Sequence, residues 1–141
     1  MSTRPRVVVD TNAVLDLLVF RDAACLHLRS RLGGEDLQWL ACRSMRDELA
    51  HVLGRGLGEH WPVDPAAVVS EWDRRVELAP EPPDCDLRCS DPDDQKFIDL
   101  AMAHRPCGLI TRDRALLKLA RRAAAHGVRI HRPVDLALDR R

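Results

Sequence analysis

Three consecutive β-branched apolar residues, Val7-Val8-Val9, run into an acid, Asp10, and then into the turn-prone pair Thr11-Asn12. A segment without a polar face suits a parallel strand covered by helices on both sides, rather than a half-exposed antiparallel strand. A chain built on such a strand is committed to layers. Its remaining segments must supply parallel neighbours and enough helix to cover two faces.

The spacing of apolar residues supplies both. Thr11 to Phe20 reads as a helix, and a second helix from about Asp22 to Leu32 stops at Gly33-Gly34. Leu37 to Cys42 is a second strand. Ser44 opens another helix, with Asp47 three residues on as its capping-box partner. The glycine-rich Gly54-Arg55-Gly56-Leu57-Gly58 follows a helix and lacks the Lys-Ser/Thr of a phosphate loop, so it reads as a turn. Asp64-Pro65 caps and starts a helix that carries Val68, Val69, Trp72 and Val76 on one side. Val76 to Ala79 is a short strand or the end of that helix, and Pro80 to Ser90 is a loop. Asp91-Pro92 starts a helix to about His104, and Gly108 to Thr111 is a strand. Asp113 to about His126 is a helix ended by Gly127, and Val128 to Ile130 is the last strand. The expected class is α/β: a three-layer α/β/α sandwich with a mainly parallel central sheet, formed by residues 1–141 as one domain.

Composition allows this and excludes other classes. Hydrophobic residues make up 45% of the 141, enough for a core, and charged residues make up 31%, enough for a solvated surface. No apolar run approaches the roughly 20 residues of a membrane span. The start, Met1 to Arg6, lacks the apolar stretch of a secretion signal, so a cytoplasmic location is expected. Five cysteines, an odd number, favour reduced thiols. Cys85 and Cys89 lack a second Cys/His pair at zinc-site spacing. The Trp and Phe residues read as packing groups rather than base-stacking platforms, and none of the His residues sits in a motif. Formal net charge is zero, but Glu71 to Asp99 holds ten acids against four bases, and His104 to Arg141 holds ten bases against three acids. Charge separated this way allows an acidic pocket beside a basic surface.

Four carboxylates stand where the fold has no use for them. Asp10 ends a buried strand; Asp113 follows another, although it also suits the cap of the next helix. In open α/β sheets, ligands collect beyond the carboxyl ends of the strands. On the helix from Ser44, the stripe of Met45, Leu49, Val52 and Leu53 places Glu48 beside the core and Asp47 toward water. On the helix from Asp91, Phe97, Ile98, Leu100 and Ala101 define the inner face. Asp94 falls near its middle, Asp93 to one side and Asp99 on the outer side. Helix-start chemistry accounts for Asp91 but poorly for Asp94. Acids crowded into one cleft repel severely without a counter-ion, and a hard divalent cation such as Mg²⁺ or Mn²⁺ meets that need. An all-carboxylate site of this kind suits phosphodiester hydrolysis.

Four segments in this order resemble the PIN-domain family, especially its bacterial VapC-like toxin–antitoxin members. They are Val7-Val8-Val9-Asp10-Thr11-Asn12, the Ser44 to Leu53 helix with Glu48, Asp91-Pro92-Asp93-Asp94-Gln95-Lys96-Phe97-Ile98, and Leu109-Ile110-Thr111-Arg112-Asp113. The resemblance implies a Mg²⁺- or Mn²⁺-dependent endoribonuclease that activates water and leaves a 5′-phosphate. It implies Asp10, Glu48, Asp94 and Asp113 as catalytic and metal-binding acids, with Asp93 as an alternative to Asp94. Asn12, Ser44 and Thr111 become supporting polar groups, and Asp16 stays outside the set. An RNA substrate, an antitoxin protein and a homodimer are the partners implied. Arg114, Lys118 and Arg121 recur at helical spacing with Arg112 and Arg122 nearby, a stripe suited to RNA phosphates or simply to solvent. Two other readings compete. A non-catalytic PIN-like binding module would keep the fold without turnover. A haloacid-dehalogenase-like phosphatase would use Asp10 as nucleophile, but Asn12 stands where its second Asp belongs.

Overall fold

The computed structural model describes residues 4–138. Met1 to Thr3 and Asp139 to Arg141, which belong to the start and to the basic end considered above, lie outside them. Five parallel strands form one sheet: β1 (Arg6–Val9), β2 (Gln38–Ala41), β3 (Val76–Leu78), β4 (Cys107–Ile110) and β5 (Val128–His131). Their order is β3-β2-β1-β4-β5, so β1 is central. That position explains its sequence: Val7, Val8 and Val9 are all buried. The edge strand β3, in contrast, exposes Glu77 and Leu78.

The connecting helices are α1 (Thr11–Leu18), α2 (Leu26–Arg31), α3 (Arg43–Arg55), α4 (Pro65–Arg75), α5 (Gln95–Ala103), α6 (Arg114–Leu117) and α7 (Ala120–Ala125), with α8 (Pro133–Leu138) after the last strand. The chain moves outward from β1 to β2 to β3, then returns across the sheet to β4 and moves outward the other way to β5. Right-handed crossovers place α1 to α4 on one face and α5 to α7 on the other. The contacts agree, since α1, α3 and α4 meet one another while α5 lies on β1 and β4 and α7 on β5. The result is the expected α/β/α sandwich, with its switch point between β1 and β4. No helix among the described residues is long and apolar enough to cross a membrane.

Trp39 of β2 and Trp72 of α4 are fully buried and meet edge to face, with ring centroids 6.4 Å apart. Trp61 packs the edge of Phe20 at 4.8 Å between centroids. Gly33 ends α2 at φ +77°, and a Cβ there would lie 2.4 Å from the Arg75 carbonyl oxygen. Gly33→Ala is therefore expected to destabilise the fold by about 1–3 kcal/mol, through both the left-handed backbone and the clash. Urea unfolding checks this, and an unchanged midpoint would contradict it.

Three local expectations are corrected. Ser44 is not a helix cap, because α3 begins one residue earlier and Ser44 lies in its first turn. Its N–H and hydroxyl both donate to Glu81, at 2.9 and 2.7 Å, so a carboxylate from the distant 80–90 loop covers the helix start. Asp47, the supposed capping partner, faces Arg43 at 3.6 Å. Asp99 is buried rather than outward, because the same loop covers that side of α5. Its Oδ1 accepts from the Cys85 N–H at 3.0 Å and from Gln95 Nε2 at 2.9 Å. Gln95 completes the anchor by donating to the Leu87 carbonyl at 2.8 Å and accepting from the Cys89 N–H at 2.6 Å. Finally, the helix expected over 113–126 is two helices. The Leu119 N–H bonds to Leu116, three residues back, and this tight turn separates α6 from α7.

Candidate metal centre at the carboxyl edge of the sheet

The register of the central strands sets the geometry. Val9 of β1 pairs with Ile110 of β4, so Asp10 and Thr111 emerge side by side at the switch point. Asp10 caps α1: its Oδ1 accepts from the Ala13 N–H at 2.8 Å. Its Oδ2 accepts the hydroxyl proton of Thr111, and the Thr111 oxygen accepts from the Asp113 N–H at 2.9 Å. Asp113 in turn caps α6, accepting from the Ala115 N–H at 2.8 Å. The fully buried Thr111 thus ties both strand ends together.

The third acidic segment arrives from the loop before α5. It forms a 3-10 turn, Pro92–Asp94, capped by Asp91 through the Asp93 N–H at 3.0 Å. This turn, rather than an α-helix, carries Asp94. Carboxylate oxygens of Asp91, Asp94 and Asp113 all lie within 4.8 Å of one another. Asp94 Oδ2 is buried and has no hydrogen-bond partner. Asp93, the alternative to Asp94, has an exposed side chain outside that group; Asp10 and Glu48 also lie outside it, Asp10 being joined to Asp113 through Thr111.

Electrostatics register the crowding. Burial raises the Asp10 carboxyl from an ordinary 3.8 to about 6; the Asp113 charge adds to this, while the Thr111 hydroxyl, the Ala13 N–H and Arg112 oppose it. Burial also pushes Asp94 up to about 8, helped by its hydrogen bond with Asp113 and by the charges of Asp113, Asp91 and Asp10. Both acids are held toward the neutral form by burial and by the like charges around them. Hard oxygen donors, mutual repulsion and one buried oxygen without a partner together fit a divalent cation with oxygen ligands.

Glu48 approaches from α3, half-buried, as the phase of that helix required. Its Oε1 accepts from the Thr11 hydroxyl at 2.5 Å, and its Oε2 faces Lys96 Nζ at 3.2 Å. Asn12 is exposed at the start of α1, and Ser44 is engaged by Glu81, away from the acids. Arg112 is exposed but pairs with the buried Asp16 at 2.6 Å, so the acid left outside the set holds a base within it. Arg114, Lys118, Arg121 and Arg122 are all exposed, although the break between α6 and α7 interrupts the single helix assumed for their stripe.

Sequence reasoning missed Asp91, Thr11 and Lys96. Asp91 was fully accounted for as a cap, and it is one; nothing in a cap pattern says that its carboxylate also meets a distant acid. The signal for Lys96 was its place two residues after Asp94 at the start of an inward-facing helix. Cys85 and Cys89 do not join a metal group among the described residues, and burial raises the Cys85 thiol to about 11.

A doubly wound parallel sheet with carboxylates converging at its switch point defines a class of small acidic-site α/β domains. A family model described as PIN domain matches residues 6–115, so the chain belongs to the PIN-domain family. The crystal structure of PAE2754 from Pyrobaculum aerophilum is similar to it in fold, with a TM-score of 0.55 and 21% identity over 96% of this chain and 94% of that one. No curated protein matches the chain. PIN domains are typically nucleases that use divalent metal ions and act on nucleic acids. Membership sets the phosphatase alternative aside: the Asp-Thr-Asn after β1 belongs to a PIN domain.

Proposed function

We propose that this chain is a metal-dependent endoribonuclease that hydrolyses RNA phosphodiester bonds, with Mg²⁺ or Mn²⁺ as its ion. The observation that carries this reading is the buried, unpartnered Asp94 oxygen inside the group formed by Asp91, Asp94 and Asp113. The ligands we assign are Asp94 and Asp113 from that group and Asp10, which Thr111 ties to Asp113; Asp91 is the group's third member and Glu48 the remaining acid of the set. A divalent cation, when bound, polarises the phosphate and makes water a stronger nucleophile. Thr111 holds Asp10 and Asp113 in fixed register, so two ligands come from rigid strand ends. Arg112, steadied by Asp16, and the exposed Arg114, Lys118, Arg121 and Arg122 bind phosphates of the strand. Asn12 is a polar group at the rim, whereas Ser44 anchors the 80–90 loop. Water adds to phosphorus, the P–O3′ bond breaks, and the products carry a 5′-phosphate and a 3′-hydroxyl.

The narrower biological role we propose is the toxin of a type II toxin–antitoxin pair, acting in the cytoplasm. An antitoxin would be its inhibitor and a homodimer its working form. The first test is cleavage of 5′-labelled single-stranded RNA. Cutting should require Mn²⁺ or Mg²⁺, stop with EDTA and leave 5′-phosphate ends. Metal-independent cutting, or none on any RNA, would contradict the reading and favour a non-catalytic module. Asp93→Asn should keep cleavage within about threefold of the parent, because an exposed side chain outside the group contributes little. A loss as deep as that of an Asp94 variant would reassign the ligand.

A further inference from the structure

The carboxylates of this site fall into two sets with different needs. Asp94 has a buried oxygen with no donor, and it is crowded by Asp113, Asp91 and Asp10. Glu48 needs nothing further. One of its oxygens takes the Thr11 hydroxyl and the other takes the Lys96 ammonium. Lys96 is itself held in place. Its Nζ donates to the Asp93 carbonyl at 2.6 Å and lies 4.8 Å from the centre of the Phe97 ring. Its side chain is only 24% exposed, so this is no freely swinging surface lysine. An ammonium fixed by a carboxylate, a carbonyl and an aromatic face already supplies Glu48 with a cation.

We propose that Lys96 is a built-in cation of this site, so that the chain takes a single divalent ion on the Asp10, Asp94 and Asp113 side. Glu48 is not a ligand but an oriented acceptor, fixed by Thr11 and Lys96. This deepens the nuclease reading and rests on it. A dication binding Glu48 would displace the ammonium or sit against it, and the repulsion between them grows as the inverse of their distance. Lys96 is thus a positioning residue: it acts through Glu48, setting where that carboxylate points. The 3-10 turn that carries Asp93 and Asp94 supplies the carbonyl that holds Lys96, so both sets are fastened to one short segment.

The test counts ions by Mn²⁺ titration with electron paramagnetic resonance on the full chain, beside RNA cleavage. The parent, Lys96→Arg and Glu48→Gln should each bind one Mn²⁺. Lys96→Met, which keeps the stem but removes the charge, should bind two, and Lys96→Arg should keep the single-ion count because it restores the cation. A purely structural lysine would not change the count. Two ions in the parent, a count of one in Lys96→Met, or loss of the single ion in Glu48→Gln each overturn the proposal. Two ions in a parent that still cleaves RNA with Mn²⁺ sink this inference alone. No bound ion and no cleavage sink the nuclease reading with it.

Discussion

Asp94→Asn is expected to make the metal-free protein more stable than the parent at pH 8. Asp94 titrates near 3.8 in the unfolded chain but is pushed up to about 8 in the fold by burial, Asp113 and the other acids. A folded-state value above the unfolded one makes the acid a liability. The unfolded chain gives up its proton first, so stability falls as pH rises from about 4 toward 8. Below that window both states are protonated and the liability disappears. An amide does not titrate, and its NH₂ can donate to Asp113 as the protonated acid does. Because Asp94 is only half-buried, solvent screening reduces the full effect, and a gain of about 1–3 kcal/mol is expected at pH 8. For a domain of this size that is a rise of roughly 3–10 °C in Tm. Calorimetry in EDTA should show the advantage shrinking toward zero near pH 4. A parent whose Tm is flat from pH 4 to 8, or equal to the variant's at pH 8, contradicts the crowding. Added Mn²⁺ should reverse the order, because only the parent retains the full ligand set.

Asp10→Asn should abolish RNA cleavage, with a loss of at least about a hundredfold, while the domain stays folded. The substitution preserves volume in a position that is 3% exposed. The amide oxygen can still accept from the Ala13 N–H and so keep the cap of α1. Its NH₂ cannot accept the Thr111 hydroxyl proton, which leaves that buried group short of an acceptor. Relief from repulsion and loss of this hydrogen bond act in opposite directions, so its stability gain should be smaller than that of Asp94→Asn. Cleavage of labelled RNA and circular dichroism check both halves. The same variant should relieve any growth arrest caused by expressing the parent. Full cleavage by Asp10→Asn would remove that carboxylate from the site.

The legible parts of the site were those governed by local rules. Val7 to Val9 leave no polar face, so Asp10 at their end had no packing role. The phase of α3 sent Glu48 inward and Asp47 outward, as observed. What stayed hidden depended on partners far along the chain. Glu81 lies 37 residues from the Ser44 it holds, so an apparent cap turned out to be half of a loop anchor. Asp99 looked outward because helical phase identifies only one inner face, whereas the 80–90 loop created a second. Asp91 performs a cap's work and the acid group's at once, and the first concealed the second. The turn that splits α6 from α7 involves no proline or glycine between Arg114 and Ala125, so composition gave no warning. Asp16 and Arg112 belong to different elements, and only the convergence of α1 with the end of β4 joins them.

The central claim is that carboxylates from three separate segments converge to hold a divalent ion. Anomalous scattering from a crystal soaked in Mn²⁺ tests it most directly. The expected result is a peak about 2.1 Å from oxygens of Asp10, Asp94 and Asp113. A map with no peak among those side chains, or with its strongest peak at Cys85 and Cys89, would contradict it.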